Sequence, residues 1–121
     1  MFESEIQRLR RLLHEQLTLA ERDLESLLSV LGGAAPVLPD PADQACQEST
    51  KNLTLIRYNR TRAQIEAILR AVEALEGENR GMCAVCGEPI GVRRLLALPT
   101  ARHCVDCQAM LDESDERRRV A

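Results

Sequence analysis

The chain has 121 residues, 16 of them Lys or Arg and 19 Asp or Glu, for a net charge near −3. That length suits one domain or a small module with an appendage, and the mildly acidic balance argues against a broad phosphate-binding surface, which needs clustered cations. Phe2 and Tyr58 are the only aromatic residues against eighteen leucines, which excludes a ring-built core and the stacking platforms of single-stranded nucleic-acid binders, leaving aliphatic helix packing as the expected scheme.

Between Ser4 and Leu31 the apolar positions Ile6, Leu9, Leu13, Leu17, Ala20, Leu24, Leu27 and Leu31 recur at intervals of three and four, the period of one helical face. At 1.5 Å per residue this amphipathic helix extends about 42 Å. Gly32-Gly33 ends it, and Pro36, Pro39 and Pro41 keep it from resuming. Asp40 or Asp43 caps a second helix, with Pro41 in its first turn if Asp40 is the cap. That helix runs from about Pro41 to Leu75. Leu53, Ile56, Ala63, Ala67, Ala71 and Leu75 are expected to form its seam, interrupted by Arg60, while Ile65, Ile68, Leu69 and Val72 widen the apolar face near its end. Two helices joined by a short loop lie antiparallel. Residues 1–78 therefore read as a coiled-coil hairpin whose acidic tip, near residues 36–46, projects away from both chain ends.

Residues 79–121 read as a small separate unit, punctuated by Gly and Pro. Cys83-x-x-Cys86 and Cys104-x-x-Cys107 enclose 17 residues, within the spacing of tetrahedral four-cysteine zinc sites. A two-residue gap lets both thiolates of a pair turn toward one ion, and Gly87 supplies the backbone freedom such a knuckle needs. The second pair begins a helix reaching about Arg118, whose N-terminal dipole favours Cys104 and Cys107 as thiolates. Structural Zn2+ is thus the expected cofactor, held by Cys83, Cys86, Cys104 and Cys107. A thioredoxin-like redox role would want one CxxC beside a βαβ pattern, and reduced core thiols would not need two matched pairs. His103 adjoins Cys104, but moving the ligand by one residue spoils the pairing.

No stretch reaches the ~18 to 20 apolar residues that span a bilayer, and the N-terminus MFESEIQRLRR lacks an apolar h-region. A cytoplasmic protein is expected, in a reducing setting where paired cysteines are metal ligands or redox thiols rather than disulfides. Cys46 lacks nearby cations or a resolving partner and reads as a packing residue more readily than as a redox sensor. His14 reads as a surface histidine, and Arg117-Arg118-Arg119, after Asp112, Glu113, Asp115 and Glu116, as a solvated helix end. One of Asp40 and Asp43 is explained by capping; two carboxylates on a projecting tip make both candidates for contact with a partner.

Two blocks of residues go further. Asp40-Pro41-Ala42-Asp43-Gln44-Ala45 with Gln47-Glu48, and Cys83-x-x-Cys86-Gly87-x-x-Ile90-Gly91-x-Arg93-Arg94-Leu95-x-Ala97-x-Pro99-Thr100 followed by Cys104-x-x-Cys107, resemble the DksA/TraR family of bacterial transcription regulators over nearly the whole chain, without an extension ahead of the first helix. The resemblance implies a mainly α fold in which a long antiparallel coiled-coil hairpin joins a small C-terminal four-cysteine zinc-finger head and a terminal helix. It also implies a monomeric, non-enzymatic regulator that binds RNA polymerase rather than promoter DNA. The hairpin would enter the secondary channel, and Asp40, Asp43 and Ala45 match the family's tip positions. In members that respond to guanosine tetraphosphate, the signal of the stringent response, cations on the second helix and head help to hold it. The corresponding positions here are Ala67, Leu98 and Gln108, none of them cationic. Two rival functions are a Gre-like transcript cleavage factor, whose relatives lack this finger, and a direct DNA-binding zinc module, which the net charge disfavours.

Overall fold

Helix α1 (Glu3–Gly32) begins where a partial capping box closes its first turn. The Phe2 carbonyl accepts the N–H groups of Glu5 and Ile6 at 3.1 Å each, and Glu5 Oε2 accepts the Phe2 N–H at 3.1 Å. Glu3 and Glu5 also place negative charge at the positive end of the helix dipole. The expected apolar stripe is present: Ile6, Leu9, Leu13, Ala20 and Leu27 are buried, and Leu17, Leu24 and Leu31 half-buried. These positions belong to a computed structural model that describes residues 2–33 and 37–120. Pro36, an expected helix breaker and the first residue of the expected tip, lies outside the described residues.

Helix α2 (Pro41–Glu76) starts on Asp40. Asp40 Oδ1 accepts the Ala42 N–H at 2.9 Å and its carbonyl accepts the Gln44 N–H at 3.0 Å. Pro41 then occupies the first helical position, where a missing N–H costs nothing. The Gln44 side-chain amide donates back to the Leu38 carbonyl, tying the loop to the helix it precedes. Of the two candidate caps, Asp40 is the cap and Asp43 stands one turn in.

The face that α2 turns inward differs from the expected one. Ala71 and Leu75 are buried and Ala67 half-buried, but Leu53 is 64% exposed, Ile56 49% exposed, and Ala63 exposed. The withdrawn positions are Thr54, Tyr58, Thr61, Ile65, Ile68, Val72 and Leu75, an uninterrupted alternation of four and three. Heptad geometry decides which positions meet α1, and an apolar-only scan follows Leu53 and Ile56 onto the outer face because the true seam is polar there.

Two further helices follow, α3 (Val92–Ala97) and α4 (Val105–Val120). The six-residue α3 was not expected from the sequence, since its flanking Gly91 and Pro99 read as turn signals. Helix α4 buries Cys107, and from Ala109 to Val120 every residue is exposed. Asp106 in its first turn, Arg117, Arg118 and Arg119 in its last, and an i,i+4 pair between Glu113 and Arg117 at 3.1 Å suit a helix that stands in water. His14 is exposed, as expected. No helix among the described residues is long and apolar enough to cross a membrane.

Contacts group the chain into two compact units, Gln16–Ala67 on one hand and Met1–Glu15 with Ile68–Ala121 on the other. In the second of these, Ile6, Leu9 and Leu13 of α1, Ile68, Ala71 and Leu75 of α2, and Cys83, Ile90 and Leu95 of the C-terminal region are buried. Leu9, Ala71, Leu75, Cys83, Ile90 and Leu95 line one groove of about 580 Å³. An ion pair of Arg80 with Glu3 at 3.5 Å lies on the surface of that unit. In Gln16–Ala67, Ala20 and Leu27 of α1 and Thr61 of α2 are the buried residues.

The two readings of the seam make opposite forecasts. Ile68 is fully buried, so Ile68→Ala should cost about 2–5 kcal/mol, whereas Leu53→Ala, on the outer face, should stay within about 0.5 kcal/mol. Urea unfolding followed by helical circular dichroism measures both.

Candidate metal centre

Backbone hydrogen bonds shape the finger around its cysteines. Met82 and Pro89 form an isolated antiparallel bridge; inside it the Cys83 N–H donates to the Glu88 carbonyl at 2.7 Å and the Gly87 N–H to the Cys83 carbonyl at 3.0 Å. Gly87 takes φ +75°, the left-handed conformation that a side chain would strain, so the expected role of this glycine holds. The Ala84 N–H donates to the Arg102 carbonyl at 2.9 Å, drawing the segment before the second cysteine pair against the first knuckle. Arg94 Nε donates to the His103 carbonyl at 3.0 Å and steadies the same segment from α3.

The sulfurs of Cys83, Cys86, Cys104 and Cys107 then all lie within 4.8 Å of one another. Cys83 and Cys107 are buried, Cys104 is half-buried and Cys86 exposed. Tetrahedral zinc with Zn–S bonds of about 2.3 Å requires sulfurs about 3.8 Å apart, and the Cys86 and Cys104 sulfurs are 3.8 Å apart. The donor set is therefore of the right size and kind for one ion, and zinc bound there supplies charge neutralisation and a cross-link between the two pairs.

The electrostatics of the thiols point the same way. Hydrogen bonding, chiefly from the Cys86 backbone N–H, lowers Cys83 to about 6. The Glu88 backbone N–H pulls Cys86 down, but desolvation and the neighbouring Cys83 outweigh it and the net shift is upward. Cys107 is pushed up to about 12, first by its hydrogen bond with Cys104 and then by desolvation and the other two sulfurs. Thiolates this close repel one another unless a cation sits among them, so ionising Cys107 would call for an ion in addition to the dipole of α4. One donor does favour that end: the Cys107 N–H points at Cys104 Sγ at 3.5 Å.

His103 stays outside the cluster. Its Nδ1 lies 3.3 Å from Gln108 Oε1, and Gln108 in turn donates to Asp112 at 2.9 Å. Cys46 is exposed and apart from the four. Asp40, Asp43 and Ala45 are gathered at the start of α2 and all three are exposed. One oxygen of Asp40 is committed to its cap; Asp43 has no hydrogen-bond or ion-pair partner among the described residues. Sequence reasoning missed the cluster of Asp23, Arg57 and Thr61, in which Asp23 accepts from Thr61 Oγ1 at 3.2 Å and from Arg57 Nη2 at 3.5 Å. The signal was available: continuing the heptad back from Ile68 through Ile65 reaches Thr61.

Comparison with known proteins places these features in a family. Residues 77–109 match the prokaryotic dksA/traR C4-type zinc finger. The RNA polymerase-binding transcription factor DksA of Escherichia coli (strain K12) is 33% identical over 112 residues, 93% of this chain and 74% of the relative. That of Haemophilus influenzae is 42% identical over 74 residues, 61% of this chain and 51% of the relative. The structure of transcription factor DksA2 from Pseudomonas aeruginosa superimposes with a TM-score of 0.81 at 28% identity, covering 96% of this chain and 89% of that one.

Cys83→Ser should lower zinc affinity by more than the ~10–100-fold that loss of an outer-shell partner costs. Cys46→Ser should leave one zinc per chain. Metal analysis after dialysis against a chelator measures both, and a Cys46 variant that lost zinc would contradict the assignment.

Proposed function

The chain belongs to the DksA/TraR family, and from that premise we propose that it binds RNA polymerase through the secondary channel and shifts initiation with its acidic tip, without catalysing a reaction of its own. In this reading residues 1–78 act as the hairpin and residues 79–121 as the zinc-stabilised head. Cys83, Cys86, Cys104 and Cys107 hold the ion, and Asp40, Asp43 and Ala45 do the regulatory work. The protein acts as a cytoplasmic monomer and makes no specific contact with promoter DNA.

The observation that carries the reading is Asp43. It is exposed and has no hydrogen-bond or ion-pair partner among the described residues, while Asp40 beside it already caps the helix. A carboxylate kept free at the helix start is suited to basic or metal-proximal elements of the polymerase. Its contact would favour some promoter complexes over others, a population shift that requires only a difference in affinity between states.

A second part of the proposal concerns guanosine tetraphosphate. Leu98 is 48% exposed, Ala67 carries no polar atom on its side chain, and Gln108 is engaged with His103 and Asp112. None supplies the charge-assisted hydrogen bonds that hold a polyanion. At roughly 1.5–3 kcal/mol each, losing several lowers affinity by more than about a hundredfold. The protein thus acts on initiation without that nucleotide.

Asp43→Asn should leave zinc content and polymerase affinity near wild type, because Asp40 caps the helix and only a dipole contribution of about 0.3–1 kcal/mol is at stake at Asp43, and should abolish the effect on initiation in an in vitro transcription assay. A parallel loss of affinity, measured by competition with another secondary-channel factor for core polymerase, would make the tip a docking element instead. Titrating guanosine tetraphosphate into the same assay, with reactions lacking this protein as the baseline, should change the effect of this protein little. A strong concentration-dependent enhancement would overturn the second part and point to Arg57, Arg60 or Arg94 as replacement cations.

A further inference from the structure

Thr61 is the only buried polar residue among the described residues, 7% exposed, and its neighbourhood in Gln16–Ala67 is lopsided. Helix α1 withdraws Leu17, Ala20, Leu24, Leu27 and Leu31 from solvent there. On α2 the inward heptad positions of this unit are Thr54, Tyr58, Thr61 and Ile65, of which only Ile65 is a large aliphatic. Leu17, Leu24 and Leu31 stand seven residues apart, so sliding one helix by a heptad replaces leucine with leucine at these three positions, and the only change it brings on the buried row is Ala20 for Leu27. Polar partners on α2 add little apolar discrimination. Aliphatic packing in this unit therefore leaves the offset between the helices weakly specified.

Asp23 breaks that degeneracy. Its two carboxylate oxygens are taken by two residues one turn apart on α2: Thr61 Oγ1 donates to Oδ2 at 3.2 Å and Arg57 Nη2 to Oδ1 at 3.5 Å. Two donors at i and i+4 bridged by one acceptor constrain both the axial position of α2 and its rotation. In a shifted arrangement the Thr61 hydroxyl loses its acceptor across the seam and has only carbonyls of its own helix to turn to, as Thr50 and Thr54 do. A polar layer in an otherwise apolar seam is a known device for specifying register.

We infer that Asp23, Thr61 and Arg57 form a register-setting polar layer that fixes where α2 starts relative to α1, and that Asp23 and Thr61 are thereby positioning residues for the carboxylates of the tip. The consequence for regulation rests on the function proposed above; the register itself does not. Asp43 lies eighteen residues before Thr61 on the same continuous helix, so a slip of one heptad carries it about 10.5 Å along the axis, beyond the reach of a hydrogen bond.

Two variants and a rescue test this. Asp23→Leu/Thr61→Leu exchanges a half-exposed carboxylate, whose pair with Arg57 contributes little, and the buried Thr61 hydroxyl for side chains that extend the leucine face, so it should melt at or above the wild-type temperature. Thr61→Val removes the donor at equal volume, and Thr61→Ser restores it. Spin labels at Ser29→Cys and Asn52→Cys, both exposed positions, in zinc-loaded Cys46→Ser protein, report the offset directly. The double variant should broaden the distance distribution or shift it by up to about 10 Å, one heptad. Thr61→Val should broaden it partly, and Thr61→Ser should keep the wild-type distance. On polymerase, the double variant at saturation should retain about a tenth or less of the initiation effect, since displacements of about 1 Å can cost positioned groups up to 10²-fold.

A narrow, wild-type distance in the double variant overturns the inference whatever the transcription assay reads. A shifted distance with an undiminished effect on initiation overturns the positioning role. Because the spin-label arm needs no polymerase, failure of the wild-type protein to compete for polymerase counts against the proposed function alone.

Discussion

Four sulfur atoms within 4.8 Å of one another are the constraint on which the C-terminal region depends. Its hydrogen bond with Cys104 and desolvation push Cys107 up to about 12, so without a cation that thiol stays neutral. With a divalent cation the same proximity becomes a cross-link between the two cysteine pairs. Ile90 and Leu95 are the only large aliphatic residues buried between Gly77 and the chain end, too little for a fold of that length to stand unassisted. The metal takes the place of a core.

That dependence reaches the helices through one groove. Leu9, Ala71 and Leu75 line it together with Cys83, Ile90 and Leu95, so the first turns of α1, the last turns of α2 and the finger share one buried surface. The deepest side chains of the chain, Ile6, Leu9, Leu13 and Ile68, belong to this unit. Aliphatic burial at about 25 cal/mol per Å² is therefore concentrated beside the metal rather than around the tip.

Gln16–Ala67 is built on the opposite principle. A leucine-rich face of α1 meets a face of α2 that carries Thr54, Tyr58 and Thr61, and a half-exposed carboxylate, Asp23, joins the two. Such a layer contributes less stability than leucines would, because exposed ion pairs are worth about 0–1 kcal/mol, but it distinguishes one offset from its neighbours. The start of α2 follows the same economy: Asp40 is spent on the cap, and Asp43 is left with both oxygens available.

Much of this was legible from residue order. The α1 stripe, the antiparallel hairpin, the start of α2 at Asp40-Pro41, the glycine of the first knuckle and the four metal ligands all follow from local periodicity, capping chemistry and cysteine spacing. Each depends on neighbours close in the chain. What tertiary structure decided was the inward face of α2. Leu53 and Ile56 are the more apolar residues, yet they point outward, and Thr61 is buried because Asp23 on another helix, 38 positions away, accepts its hydroxyl. The short α3, held with Gly91 at φ +100° and no side-chain cap, was likewise hidden, since six residues between turn signals carry too little periodicity to register. Local pattern determined which segments are helical and which thiols meet; the partner across the seam determined which side of α2 faces it, because burying a polar group is favourable only where a specific acceptor waits.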